Sequence, residues 1–205
     1  MLKMKNITRL FLYLNLCLTL LACSKISPKG EIEVKDVTVE NFTKLNLKGD
    51  FKVFFAKGNQ NLVSVETYPN VYKNLDIEVE NGILTIEENR KTDQVDFYNI
   101  TIFGKNDLNE VSLSDKVEMN VSGQVKTPEF LLHLKGNSKF MGAVIAPKSK
   151  IEMAEKSNAN ILGETKNLNL KLTDSASIMA PYFYVENLEI LSKNGASAGL
   201  NIDQE

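Results

Sequence analysis

Tryptophan is absent from this chain of 205 residues, histidine occurs once, at His133, and cysteine twice, at Cys17 and Cys23. One histidine excludes the multi-histidine metal centres that zinc and other transition ions favour. The missing indole removes the best aromatic stacking platform. No excess of positive charge exists either: 24 Lys and Arg face 26 Asp and Glu, for a net charge of −2. Nucleic-acid binding draws its affinity from cations that neutralise phosphates, so that class is set aside. No Gly-x-Ser-x-Gly elbow marks a hydrolase nucleophile, and no Gly-Gly-x-Gly-x-Asp run marks calcium-binding coils. The expectation is a non-enzymatic chain without metal or cofactor. Disulfides are not needed, because a chain this long buries roughly 70% of its unfolded surface on folding.

What is present begins with an address. Residues 1–9 carry Lys3, Lys5 and Arg9 and no acid, and residues 10–22 are nearly all apolar. Thirteen residues rise only about 20 Å as a helix, too short for a hydrocarbon core of ~30 Å. A basic start, a short apolar run and a small residue before a break make a signal-peptide layout. The break, Leu20-Leu21-Ala22-Cys23, resembles the bacterial lipobox. That resemblance implies a thioether-linked diacylglycerol on Cys23, cleavage before it and acylation of the new amino group. Several acyl chains on one residue anchor stably where one does not. Ser24 rather than Asp follows, which by resemblance to Gram-negative sorting implies the outer membrane. Residues 1–22 are thus a lipoprotein signal, and residues 23–30 the lipidated Cys and a flexible tether. The 183 residues from Cys23 onward carry 21 bases and 26 acids, a net charge of −5. Only Cys23, a lipidated thiol, remains after cleavage, as suits an exported domain.

Beyond the tether the chain reads as strand. Period-two alternation recurs at Ile32-Glu-Val34, Val37-Thr-Val39, Leu45-Asn-Leu47, Phe51-Lys-Val53, Val63-Ser-Val65, Ile77-Glu-Val79 and Ile100-Thr-Ile102. Such alternation marks half-buried strands. Asn81-Gly82 between two such runs is a hairpin turn, because both residues accept positive φ. Lys57-Gly58-Asn59 is a second turn, residues 68–75 one helical turn, and residues 90–94 a mobile polar loop.

The second half repeats. Apolar pairs at i and i+2 fall at Val111/Leu113, Leu132/Leu134, Ile151/Met153, Leu170/Leu172 and Leu188/Ile190, with spacings of 21, 19, 19 and 18. Six residues past each pair comes Met119, Phe140, Ala159, Ile178 or Ala196, with polar corners between. Each such coil buries side chains that are useless alone and continuous when stacked. A leucine-rich repeat would need a recurring Asn and a helical return, neither of which is present. The small inward Ala159, Ala176, Ala196 and Ala198 suit a narrow interior, and Pro128, Pro147 and Pro181 fall between paired strands, where a missing N–H does least harm. The predicted fold is therefore all-β: a right-handed β-solenoid with coils of about 18–21 residues, led into by N-terminal antiparallel strands and a hairpin. One domain spans 31–205, with the first strands and hairpin over 31–104 and regular coils over 105–205.

Three stretches carry a family resemblance: Asn41-Phe-Thr-Lys-Leu-Asn-Leu-Lys-Gly-Asp-Phe-Lys-Val-Phe-Phe55, Leu62-Val-Ser-Val-Glu66 and Ile77-Glu-Val-Glu-Asn-Gly-Ile-Leu-Thr-Ile86. In this order they resemble the head GIN domain family of auto-transporter adhesin heads, many of them exported or lipid-anchored, and the later coils are similar over residues 111–200. The resemblance implies one β-solenoid-like domain and an adhesin role, and it supplies no catalytic residue.

The chemistry-bearing side chains are few. His133 alternates with Leu132 and Leu134 and so points outward as a solvated strand histidine; a general base needs a positioned partner, which spacing does not show. Glu110, Asp115, Glu152, Glu155, Glu164, Asp174 and Glu189 are spread along the coils, but Lys116, Lys135, Lys156, Lys171 and Lys193 interleave with them. Because like charges on adjacent strands repel, this reads as a mixed solvated surface, not a metal site. Phe97-Tyr98 and Tyr182-Phe-Tyr184 are the densest aromatic groups, so Tyr98, Tyr182 and Tyr184 are candidate ligand-facing rings. Asp174-Ser175-Ala176 resembles an acceptor motif for O-glycosylation in Gram-negative envelope proteins, which makes Ser175 a candidate modification site. The last coil, residues 196–205, has no capping helix and reads as a contact for a partner, a homo-oligomer or a charged edge.

Three functions follow, in order: an adhesin-like surface for glycan or protein, a periplasm-facing structural or interaction lipoprotein, and a polysaccharide-acting β-helix enzyme. A flat apolar patch near residues 182–184 would favour protein, and a Tyr-lined groove would favour glycan.

Overall fold

The computed structural model describes residues 25–202; the signal segment, Cys23 and Asp203–Glu205 lie outside them. Alternating sequence becomes alternating burial almost throughout. The strands are β1 (Glu33–Thr38), β2 (Lys44–Gly49), β3 (Lys52–Lys57), β4 (Leu62–Thr67), β5 (Leu75–Glu80), β6 (Ile83–Glu88) and β7 (Asn99–Gly104). They continue as β8 (Glu110–Asp115), β9 (Glu118–Lys126), β10 (Glu129–Leu134), β11 (Lys139–Met153), β12 (Asn158–Leu172), β13 (Ser177–Ser192) and β14 (Ser197–Ile202). One helical turn, α1 (Pro69–Tyr72), opens on a proline, whose fixed φ suits a first helical position. All fourteen strands join one curled sheet.

The curl comes from the three long strands. In β11 the buried positions run Phe140, Gly142, Val144, Ala146 and then Ser149, Ile151, Met153, so alternation changes phase across Pro147-Lys148. A change of phase keeps both halves facing one core only if the strand turns a corner. Pro147 has no ladder partner, and Pro181 falls at a register shift in β13, as expected of residues without an N–H. The first halves of β11, β12 and β13 form one wall with β9, β3, β7, β4, β1 and β14; their second halves form the other with β10, β8, β2, β6 and β5. Between the walls lies a single apolar core. Phe130 of one wall meets Phe140 of the other with ring centroids 6.1 Å apart.

Stacking puts equivalent residues in columns. Leu84, Leu45, Val111, Leu132, Ile151, Leu170 and Ile190 are ladder partners in succession, as are Ile86, Leu47, Leu113, Leu134, Met153, Leu172 and Ser192. On the other wall Ile100, Val53, Met119, Phe140, Ala159, Ile178 and Ala198 stack likewise. Each fully buried Leu or Ile contributes roughly 1.5–3 kcal/mol, so the columns are the main source of stability. Turns between the walls place Asp115, Gly136, Glu155, Asp174 and Asn194 at equivalent positions, all with positive φ between 58° and 77°.

Two expectations are corrected. Stacking starts with β2 and β3 rather than at residue 105, and it is not in sequence order. β6 and β7 lie outside β2 and β3 in the stack, both in parallel register with them. The antiparallel strands β5, and β4 with β1, then close that end. The Asn81-Gly82 hairpin is present, with φ of 52° and 75°, whereas β3 and β4 are not neighbours, because β7 lies between them. In the last coil the partner of Leu170 is Ile190, not Leu188, and that of Ile178 is Ala198, not Ala196. Extra residue Pro181 and the shift beside it displace the pattern.

Candidate functional site

The two walls differ on their outer surfaces. On the β2–β8–β10 wall the outward side chains are mostly polar, Leu131 and Leu191 excepted, and pair within a strand or with the neighbouring one. Lys44 Nζ lies 3.0 Å from Glu110 Oε2, Lys150 Nζ 3.0 Å from Glu152 Oε1, and Asn169 Nδ2 donates to Glu189 Oε2 at 2.8 Å. Lys48 pairs with Glu87, which holds the ammonium above its ordinary range by hydrogen bonding and charge. The Glu152 carboxyl is held below its ordinary value, first by its hydrogen bond to Lys150. The carboxylates thus alternate with lysines, and the described residues contain no group of three His, Cys, Asp or Glu able to hold a metal.

His133 lies on this wall in a column with Ser112 and Glu152, its Nδ1 3.4 Å from Glu152 Oε2. The order serine, imidazole, carboxylate suggests a nucleophilic triad, which strand register alone creates and sequence spacing hides. Ser112 makes no hydrogen bond to His133 among the described contacts, and the neighbouring amides are engaged in the ladder. Nucleophilic catalysis needs a nucleophile–base contact and free donors for an oxyanion, so the column is a polar surface row.

On the β9–β11–β12–β13 wall a group of apolar outward residues stands among polar ones such as Asn160, Glu164 and the Lys139–Glu118 pair. Met141, Ala143 and Ile145 of β11 lie beside Asn160, Leu162 and Glu164 of β12, and these beside Met179, Tyr182 and Tyr184 of β13. Exposure reaches 63% for Met179, 66% for Tyr182 and 49% for Tyr184. Scattered apolar residues are ordinary on a surface, but a contiguous patch is not. Tyr184 borders a shallow corner depression of about 490 Å³, shared with Pro147, Glu164, Lys166 and Glu186.

The remaining candidates are placed as follows. Tyr98 does not face a ligand: it is 4% exposed and packs against Phe51 at 5.4 Å between centroids, while Phe97 faces out at 44%. Alternation put one ring of that pair inside, and the strand phase chose Tyr98. Burial pushes its phenol well above the ordinary value, and the nearby Glu88 carboxyl is also raised, first by burial. Glu88 accepts from Asp50 N–H at 3.2 Å and Thr92 Oγ1 at 2.9 Å. Ser175 is exposed, directly after the left-handed Asp174 in its turn. Cys23 lies outside the described residues. Residues 25–30 do not hang free, and the 90–94 loop is tied to them. Ile26 N–H donates to Lys91 O at 3.0 Å, Asp93 N–H donates to Ile26 O at 2.9 Å, and Lys25 Nζ lies 2.9 Å from Asp93 Oδ1.

Fold and surface together define an all-β domain with an exposed apolar group on one outer wall. The chain belongs to the family described as "Putative auto-transporter adhesin, head GIN domain", whose model matches residues 41–205. Among solved structures it is similar to a "putative adhesin" from Bacteroides fragilis NCTC 9343, at 12% identity and a TM-score of 0.70, over 86% of this chain and 97% of that one. A "putative adhesin" from Parabacteroides distasonis ATCC 8503 matches at 14% identity and a TM-score of 0.66, over 89% and 96%. A "Putative lipid binding protein" from the same organism matches at 15% and 0.61, over 88% and 100%. At such identities the likeness concerns the fold alone. No curated protein matches the chain, and no helix among the described residues is long and apolar enough to cross a membrane.

Proposed function

We propose that this chain is a non-enzymatic envelope lipoprotein, anchored through Cys23 in the outer membrane, whose domain acts as an adhesin-like binding surface. The one observation that carries the reading is the contrast between the walls: one is mostly polar and ion-paired, the other presents Met141, Leu162, Met179, Tyr182 and Tyr184 to solvent. Flexible methionines and amphipathic tyrosines suit a protein partner, because they fill irregular contacts at little conformational cost. Glycan is the second reading, favoured by the corner depression beside Tyr184. Stacked parallel coils joined by short turns support a right-handed β-solenoid, the hand that parallel crossovers take almost without exception.

The test has two arms. Protease shaving of intact cells, with Cys23→Ala as the anchoring control, places the domain: digestion on unbroken cells supports display outside. Protection until the outer membrane is opened leaves the periplasm-facing interaction reading. The purified domain carrying Met179→Ser and Tyr182→Ser is then compared with wild type on protein-coated and glycan-coated surfaces. Loss of binding by tenfold or more, about 1.4 kcal/mol, with unchanged thermal stability supports the wall as the binding surface. Unchanged binding on both surfaces removes it.

A further inference from the structure

We propose that residues 25–30 are a docked strap, which holds the stacked-turn edge of the domain against the headgroup layer of the membrane carrying the Cys23 lipid; this rests on the lipoprotein reading. The strap is fastened at both ends. Near its start Ile26 is bonded on both sides of its peptide to Lys91 and Asp93, forming an isolated parallel bridge with Thr92. Further on, Asn70 of α1 clamps it: Lys29 N–H donates to Asn70 Oδ1 at 2.8 Å, and Asn70 Nδ2 donates to Ser27 O at 2.9 Å. The Ile26 side chain packs on the core, so the strap also covers apolar surface.

Chain length turns this attachment into an orientation. A free segment from Cys23 to Glu31 would let the body ride as much as about 29 Å from its anchor. With the strap docked, only the step from Cys23 to Lys25 remains, at most about 7 Å. A headgroup layer is itself roughly 5–8 Å deep on each side, so the body at Lys25 must rest on it. Lys25 lies in a groove of about 630 Å³ lined on one side by Gly49-Asp50, Glu88 and Lys91-Thr92 and along its length by the stacked turns Asp115-Lys116, Gly136-Asn137, Glu155-Lys156 and Asp174-Ser175. Acids and lysines are closely matched along that groove, so the covalent anchor and not surface charge supplies the attraction. The strands run away from this edge, leaving the apolar wall standing clear of the bilayer and open to a partner from the side.

The full chain, acylated in cells and reconstituted in phosphatidylethanolamine–phosphatidylglycerol vesicles, tests this. Single thiols are introduced by Lys156→Cys at the turn edge and Lys166→Cys at the opposite corner, both exposed, and labelled with a donor dye; the headgroups carry the acceptor. The edges are about 20 Å apart, six strand residues. Energy transfer from position 156 at least twice that from position 166 is expected. In a strap-release form with Ile26→Pro and Asn70→Ala, which removes the Ile26 N–H and the clamp, the two efficiencies converge while the unfolding temperature stays within a few degrees. Equal efficiencies in the unreleased protein, with mass spectrometry showing acylated Cys23, overturn the strap and leave the anchor standing. An unacylated Cys23 overturns both.

Discussion

Gly163 offers the sharpest test of the stacking. It is the ladder partner of Val144, and its φ of +109° lies where L-residues are strained. A Cβ built on it would stand 2.1 Å from Val144 O and 2.9 Å from Val144 C. The obstacle is a backbone carbonyl in the β11–β12 ladder, which cannot swing aside as a flexible side chain would. Positive φ alone costs an alanine about 1–2 kcal/mol. Relieving the contact means parting the strands locally, at about 1 kcal/mol for each ladder bond given up. Against this, alanine restricts the unfolded chain and returns about 0.4–1 kcal/mol. With two or three bonds lost, Gly163→Ala should destabilise by about 3–4 kcal/mol. At 2–4 °C per kcal/mol for a chain of this length, its melting temperature should fall by roughly 6–16 °C. Gly123→Ala is the control: φ is +80°, but no atom lies within 4 Å, so only the backbone cost remains. Thermal and urea unfolding of the two variants side by side would decide it. A Gly163→Ala protein within 1 kcal/mol of Gly123→Ala would refute the close approach of the coils at this point.

Two more predictions follow from the turn edge. Glu155 occupies a left-handed turn position with φ of 62°, and its pair with Lys135 is long, at 3.9 Å, and exposed. Glu155→Gly should therefore raise stability by about 0.5–1 kcal/mol, seen as a melting temperature a few degrees higher; a lower one would contradict the strain argument. Glu88 is held above its ordinary carboxyl value by burial, so the folded protein takes up its proton first as pH falls. That group's contribution to stability thus rises from neutral pH down toward 4.5, where the unfolded chain also binds the proton. Urea unfolding of Glu88→Gln across this range should lack that rise relative to wild type; parallel pH profiles would refute it.

Much of this architecture was legible because strand alternation is local. The paired apolar residues from Val111 to Leu172 align in the ladder as their spacing predicted, and Asn81-Gly82 makes the hairpin its chemistry demands. In the last coil the ladder partner of Leu170 lies two residues beyond the one the spacing predicts, an even slip that keeps every side chain on the same face and so leaves no mark in the pattern. The candidate site was half legible. Tyr182 and Tyr184 flank the inward Phe183 and had to point out, but alternation could not say which of Phe97 and Tyr98 was buried.

The sequence by itself determined the strands, their inward faces, the turn residues and the corner prolines, because each depends on neighbours a few positions away. Only the tertiary structure decided that β6 and β7 stack outside β2 and β3, since parallel ladders specify register and not the order in which coils are laid down. It also decided that Met141, Leu162, Met179 and Tyr182 meet on one wall. They come from three successive strands about twenty positions apart in the chain, and only stacking those strands about 5 Å apart makes them a surface. The strap belongs to the same class: its polar sequence reads as tether, and its hydrogen-bond partners lie more than forty residues away.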